Sequence, residues 1–258
     1  PSFRDGVALG PYLHEIFGIP VFINNDGDLF AFGEALSGAL PAVNERLEAL
    51  GSSKRYQNLI GYTFGTGCGV GLVIGGALNR GDNSCVETYC LPHPFIDGVM
   101  VEDGISIRAV KRVYAEQSGV QDASLTPKDI YDIADGKKAG NPDAAKAAFA
   151  ELGRTAGRLM AVTAQLIDGL IVIGGGISAS HKFFMPALLK EMRGNVRTLS
   201  GDTLQRMQMK VYNLDSEAEF AAFAKGDARE LKIYGTRKSV TYDPQKRIGV
   251  MVDKIGTS

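Results

Sequence analysis

The sequence predicts an α/β protein, and three observations carry that prediction. Short apolar runs of strand length occur, such as Leu170-Ile171-Val172-Ile173. Longer stretches repeat apolar residues at three- and four-residue steps, as in Phe149, Leu152, Ala156, Leu159, Thr163 and Leu166. Glycine-rich turns follow the predicted strands, at Gly65–Gly71 and Gly174–Gly176. Such a mixture packs as a sheet covered by helices.

In chain order, residues 7–17 read as a helix with Val7, Leu9, Leu13, Ile16 and Phe17 on one stripe, ended by Gly18. Pro20–Ile23 reads as a short buried strand, followed by a polar break over Asn24–Asp28. A helix is predicted through Phe30, Ala31, Glu34 and Ala35 to Leu40, with a further helical piece from Asn44 to Leu50. Strands are predicted over Asn58–Phe64 and Gly69–Gly75, joined by the glycine turn, with Ala77-Leu78 opening a third. Residues 81–98 show no periodicity and read as loop. Val101–Glu116 is helical, and Thr126-Pro127 opens a short helix with Thr as N-cap and Pro in the first helical position. The longest helix, over 142–166, feeds the strand at 170–173. A helix from Ser180 to Arg193 follows the triple glycine, capped by Ser178 or Ser180. Met207–Asn213 reads as another strand, and alternation through Val240, Tyr242, Ile248, Val250 and Val252 predicts a late hairpin. Gly226–Arg237 is the most loop-like stretch of the second half.

The 258 residues suit one large domain, or a domain plus a fragment. A net charge of −1 supplies no basic field for nucleic acid. No apolar run approaches the roughly 20 residues of a membrane helix. The three cysteines, Cys68, Cys85 and Cys90, make no disulfide framework, so a reducing, cytoplasmic setting is expected. No signal peptide is visible. The chain opens at Pro1 and stops at Ser258, and neither is expected to be a native terminus.

Three turns carry the chemistry. Alternate glycines in Gly65-Thr66-Gly67-Cys68-Gly69-Val70-Gly71 bare the backbone amides of a tight bend, a cradle for phosphate. It lacks the lysine of a P-loop and the following helix of a dinucleotide fingerprint, and a plain glycine-rich hairpin is the alternative reading. Gly174-Gly175-Gly176 lets a flat ligand lie against backbone before a helix N-terminus; the alternative is a sharp, closely packed turn. Asp26 is a candidate general base that takes a proton from an attacking hydroxyl, with Asn25 beside it to orient that hydroxyl. The local alternative makes Asn25 or Asp26 a helix cap, and the roles are compatible. Ligands of α/β sheets collect at strand ends, so the three turns are expected to face one cleft. His14, His181, Lys111-Arg112 and Lys137-Lys138 read as structural or solvated.

Asn25-Asp26, Gly33-Glu34, the Gly-Thr-Gly at 65–67 and the triple glycine together resemble the ROK family, in order and spacing, from Val7 to Met209. That family comprises sugar kinases and sugar-responsive repressors on the actin-like, ribonuclease H-like fold. The resemblance implies the large lobe plus the last part of the small lobe. Residues 1–26 would be a small-lobe remnant, and 27–258 the large lobe without its C-terminal helix. It implies ATP-dependent phosphorylation of a sugar hydroxyl, with Mg²⁺, and a homodimer through the large lobe. Asp26 would be the base and Asn25 a sugar ligand. Gly65, Thr66 and Gly67 would meet the ATP phosphates, and Gly174, Gly175 and Gly176 the adenosine. Glu102, ahead of the helix start at Ser106, resembles the family's later sugar-binding glutamate.

The chain also departs from the family pattern. Where the family carries Gly-Glu-x-Gly-His, an ungapped match places Thr88 at the Glu and Leu91 at the His, while a one-residue shift brings in Glu87 as a sugar ligand. The family's Cys-x-Cys-Gly-x-x-Gly-Cys zinc motif is absent. Cys85, Cys90 and His93 offer three zinc ligands and no obvious fourth, so no metal site is expected and the cysteines read as small apolar residues. The family's opening Asp-x-Gly-Gly-Thr turn has no counterpart, so the 258-residue chain alone is expected to phosphorylate sugars poorly or not at all. The alternatives are the non-catalytic sensor half of a repressor and an actin-like enzyme acting on a non-sugar alcohol or acid.

Overall fold

The hairpin of β1 (Leu59–Phe64) and β2 (Cys68–Ile74) begins the sheet, and β3 (Ala77–Asn79) extends it, in a computed structural model that describes residues 6–254. Before them come α1 (Leu9–Phe17), α2 (Asp26–Leu36) and α3 (Ala39–Ala49). After them come α4 (Ile107–Ser118), α5 (Pro127–Ala134) and the long α6 (Pro142–Ile167). Then follow β4 (Leu170–Gly174), α7 (His181–Met192), β5 (Asn195–Arg197), β6 (Thr203–Gln205) and β7 (Lys210–Asn213). The chain closes with α8 (Glu217–Lys225), β8 (Arg229–Lys232), β9 (Ser239–Tyr242) and β10 (Arg247–Val252).

Six strands form one sheet in the order β3-β2-β1-β4-β10-β7. β1 pairs antiparallel with β2, ending at Phe64 opposite Cys68. It pairs parallel with β4, from Leu59 opposite Leu170 to Thr63 opposite Gly174. The glycine turn after β1 and the triple glycine after β4 therefore leave the sheet at the same edge. Both strands are apolar on both faces because helices cover both. Ile60, Tyr62, Phe64, Ile171 and Ile173 face a core with Phe149 and Leu152 of α6 and Phe184 and Leu188 of α7. Leu59, Val73, Leu170 and Val172 face the opposite core, with Ala31 of α2, Leu47 of α3 and Phe223 of α8. Among the described residues no helix is long and apolar enough to cross a membrane.

Several predicted elements differ. Pro20–Ile23 is not a strand and not buried: none of the strands pairs with it, and Phe22 is 84% exposed. The helix predicted to reach Leu40 breaks at Ser37-Gly38, because the Glu34 carboxylate accepts the Ala39 N–H at 2.7 Å and starts α3 there. The helical stretch from Val101 opens as a 3-10 turn, Val101–Gly104, before α4 begins behind Ser106. Neither Ser178 nor Ser180 caps α7 through its side chain, since a 3-10 turn over these residues leads into it. The predicted late hairpin does not form. β10 inserts between β4 and β7 in parallel, while β9 pairs with β8 inside the supposed loop Gly226–Arg237. Cys85 and Cys90 are exposed rather than packed, and Cys68 is the buried cysteine.

Candidate active site

The position of α2 decides what meets the glycine turn. Gly61 and Gly71 are paired across β1 and β2. A Cβ on Gly71 would stand 2.4 Å from the Gly27 carbonyl oxygen and 2.6 Å from Ala31 Cβ, and one on Gly61 would stand 2.7 Å from the same Ala31 atom. Only bare backbone lets the helix approach so closely. Asp26 is the first residue of that helix, so the approach carries it to the rim of a cavity of about 530 Å³ at the strand ends. Asn25, Thr66, Glu87, Tyr89 and Glu102 share this cavity with Gly65, Gly67 and Gly175.

Asn25 and Asp26 act locally as well. Asn25 is the N-cap of α2, its side-chain oxygen accepting the Gly27 N–H at 2.8 Å. Asp26 Oδ1 accepts the same N–H at 2.9 Å. The capping alternative is thus realised, with both side chains still lining the cavity.

Within the turn, the Gly65 N–H donates to Gly67 O at 3.0 Å and the Cys68 N–H to Glu102 Oε2 at 3.1 Å. Among the described residues the amides of Thr66 and Gly67 make no hydrogen bond, which leaves them as donors available to an anion. Glu102 lies tight under the turn: a Cβ on Gly67 would stand 2.3 Å from its Oε2. Its Oε1 accepts from Arg108 Nη2 at 3.0 Å.

Around the family's departed motif, the structure places Glu87 in the cavity, while Thr88 is buried away from it and Leu91 does not line it. Burial pushes the Glu87 carboxyl above its ordinary range, and the charges of Asp28, Asp26 and Glu102 push the same way. His93 is buried, with Nδ1 accepting the Phe95 N–H at 3.2 Å. Burial lowers its pKa. Among the described residues no three His, Cys, Asp or Glu side chains converge as a metal site, so Cys85, Cys90 and His93 do not assemble.

The triple glycine is split. Gly175 lines the cavity, Gly174 is buried with its Cα against the Phe30 ring, and Gly176 opens to solvent. Tyr89 and Arg108 went unnoticed in the sequence. Tyr89 stands two residues beyond Glu87, and Arg108 lies on the first turn of α4, six residues beyond Glu102. A larger cleft of about 690 Å³ lies along the open edge of β7, lined by Met192, Met207 and Met209, and holds none of these groups.

Comparison with known proteins points the same way. Residues 3–89 match the sequence profile of the ROK family. A solved glucokinase structure from Parabacteroides distasonis shares 55% identity at a TM-score of 0.91, over 99% of this chain and 70% of that one. A glucokinase from Streptomyces coelicolor is 29% identical over 201 residues, 68% of this chain and 57% of the enzyme. The xylose repressor of Bacillus spizizenii is 32% identical over 80 residues, 31% of this chain and 17% of the repressor. The chain spans less than three-fifths of the length of the curated relatives it matches. The fold shared with the glucokinase structure is the actin-like, ribonuclease H-like one. With 55% identity along nearly its whole length, and with the profile match running through Asp26 and the glycine turn, the chain belongs to the ROK family.

Proposed function

We propose that the protein transfers the γ-phosphoryl group of ATP to a sugar hydroxyl. The observation that carries this is the shared cavity: a carboxylate, Asp26, lines it together with Thr66 and Gly67, whose amides are unbonded among the described residues, and with Glu87 and Glu102. The turn supplies N–H donors for phosphate oxygens, and Gly175 leaves room for the nucleotide alongside. Asn25, Glu87 and Glu102 supply acceptors that read sugar hydroxyls. Asp26 takes the proton of the attacking hydroxyl as its oxygen bonds to the γ-phosphorus, while the bond from that phosphorus to the β–γ bridging oxygen breaks and ADP leaves with the electron pair. Asp26, Glu87 and Glu102 edge the cavity and would offer carboxylate oxygens to a divalent cation that arrives on the nucleotide. Mg²⁺ held there would offset the charge on the phosphates during transfer. The names of the two glucokinase relatives make D-glucose the first probe.

The xylose repressor supports a second reading, a sugar sensor without catalysis. Both readings need sugar binding, and the test starts there. A panel of hexoses and pentoses is screened by thermal unfolding, with and without a non-hydrolysable ATP analogue. A ligand at about 100 times its Kd stabilises the fold by about 2.7 kcal/mol, which raises the midpoint by several degrees. The kinase reading expects shifts from a sugar and from the analogue. A sugar shift with none from the analogue favours the sensor, and no shift from any sugar contradicts both.

A further inference from the structure

Glu102 is held from several sides. Arg108 Nη2 donates to Glu102 Oε1 at 3.0 Å and to Asp103 Oδ1 at 3.2 Å. The Cys68 N–H donates to Glu102 Oε2 at 3.1 Å. The backbone is tied on either side, with the Glu102 N–H donating to Tyr89 O at 3.2 Å and the Ile107 N–H to Gly65 O at 2.9 Å. A glutamate side chain without such a grip samples several rotamers, and fixing one of them costs entropy.

We propose that Arg108 is a positioning residue, which holds the Glu102 carboxylate in the one rotamer that presents its remaining acceptor sites to sugar hydroxyls. This rests on the reading that the cavity binds a sugar. An ionised carboxylate has about four acceptor sites. Arg108 and the Cys68 amide occupy one each, which leaves acceptor sites on a carboxylate that lines the cavity. Arg108 does not line the cavity itself. It stands behind Glu102, beside His93 and Arg112, with its side chain 55% exposed. It therefore acts on the sugar only through Glu102. The turn is also held by the backbone bond from the Ile107 N–H to Gly65 O, which does not pass through the Glu102 side chain, so losing Arg108 leaves the nucleotide side in place.

Calorimetric titration tests this with D-glucose and a non-hydrolysable ATP analogue as probes. The proteins are the wild type, Arg108→Ala, Arg108→Lys, Glu102→Ala and the Arg108→Ala, Glu102→Ala double variant. Arg108→Ala is expected to weaken glucose binding about tenfold. Analogue affinity stays within about twofold, and the unfolding midpoint within about 2 °C, because the ion pair is exposed on the arginine side. Arg108→Lys recovers most of the loss. In the Glu102→Ala background, Arg108→Ala adds nothing. Unchanged glucose affinity in Arg108→Ala, where Glu102→Ala loses it, overturns the positioning role and leaves the sugar site standing. The role is equally overturned if Arg108→Ala keeps its full effect without Glu102, or weakens the analogue as much as glucose. If the wild type binds neither glucose nor any other sugar of the hexose and pentose panel, or Glu102→Ala binds the sugar unchanged, the sugar reading falls, and this inference with it.

Discussion

Asp26 serves the helix and the cavity with one carboxylate: Oδ1 bonds the first turn of α2 while the side chain edges the cavity. Glu87 shows what clustering carboxylates there does to stability. Its burial, with Asp28, Asp26 and Glu102 nearby, makes the ionised form unfavourable, so the folded protein holds the Glu87 proton more tightly than the unfolded chain does. The stability this group contributes is full below its ordinary value of 4.5 and is lost as pH rises through the raised folded value. Glu87→Gln should therefore raise the unfolding midpoint near neutral pH, by roughly 1–3 °C, with the gain fading on acidification. Calorimetry across the acidic range checks it, and a midpoint difference that ignores pH contradicts it. The shift of one residue that brings Glu87 into the site could be weighed in the sequence but not decided, because the loop's path depends on bonds such as that between Val101 N–H and Leu91 O, at 2.7 Å.

At the scale of elements, the site depends on how closely α2 lies on the β1–β2 hairpin. Gly71→Ala places a methyl where 2.4 Å separates it from the Gly27 carbonyl oxygen, so helix and sheet must part. Overpacking of this kind costs about 1–3 kcal/mol, and here it also tilts Asp26 away from the turn. Denaturant unfolding should report the lost stability, and nucleotide or sugar affinity should fall with it; a variant as stable as the parent would show that the contact is not tight. Elements with local signals were legible. The amphipathic period of α6 and the Thr126 N-cap of α5, with Pro127 in the first helical position, fix those helices from nearby residues alone. Strands are made by partners: β1, β2 and β4 were legible as apolar runs, and others were not. Pro20–Ile23 is apolar but pairs with no strand among the described residues, and β8 is polar yet pairs with β9. The break at Ser37-Gly38 depended on a carboxylate reaching five residues forward from Glu34.

At the scale of the whole molecule, parallel pairing of β1 and β4 brings two turns that are 109 residues apart to one sheet edge, with Thr63 opposite Gly174. The α/β class and the convergence of Asp26 with the glycine turn were legible, because both rest on strand–turn patterns and on a family resemblance carried by motif order. The split of the triple glycine was not, since it depends on the Phe30 ring filling the space beside Gly174. Asp26 is proposed as the base in a sugar-phosphorylating site of which the Gly65–Gly67 turn is the phosphate wall. The rate of phosphoryl transfer from ATP to D-glucose, measured for Asp26→Asn beside the wild type in the full-length protein, tests this role. A fall of about 10²–10⁴-fold is expected in the variant. Equal rates in the two proteins would contradict it.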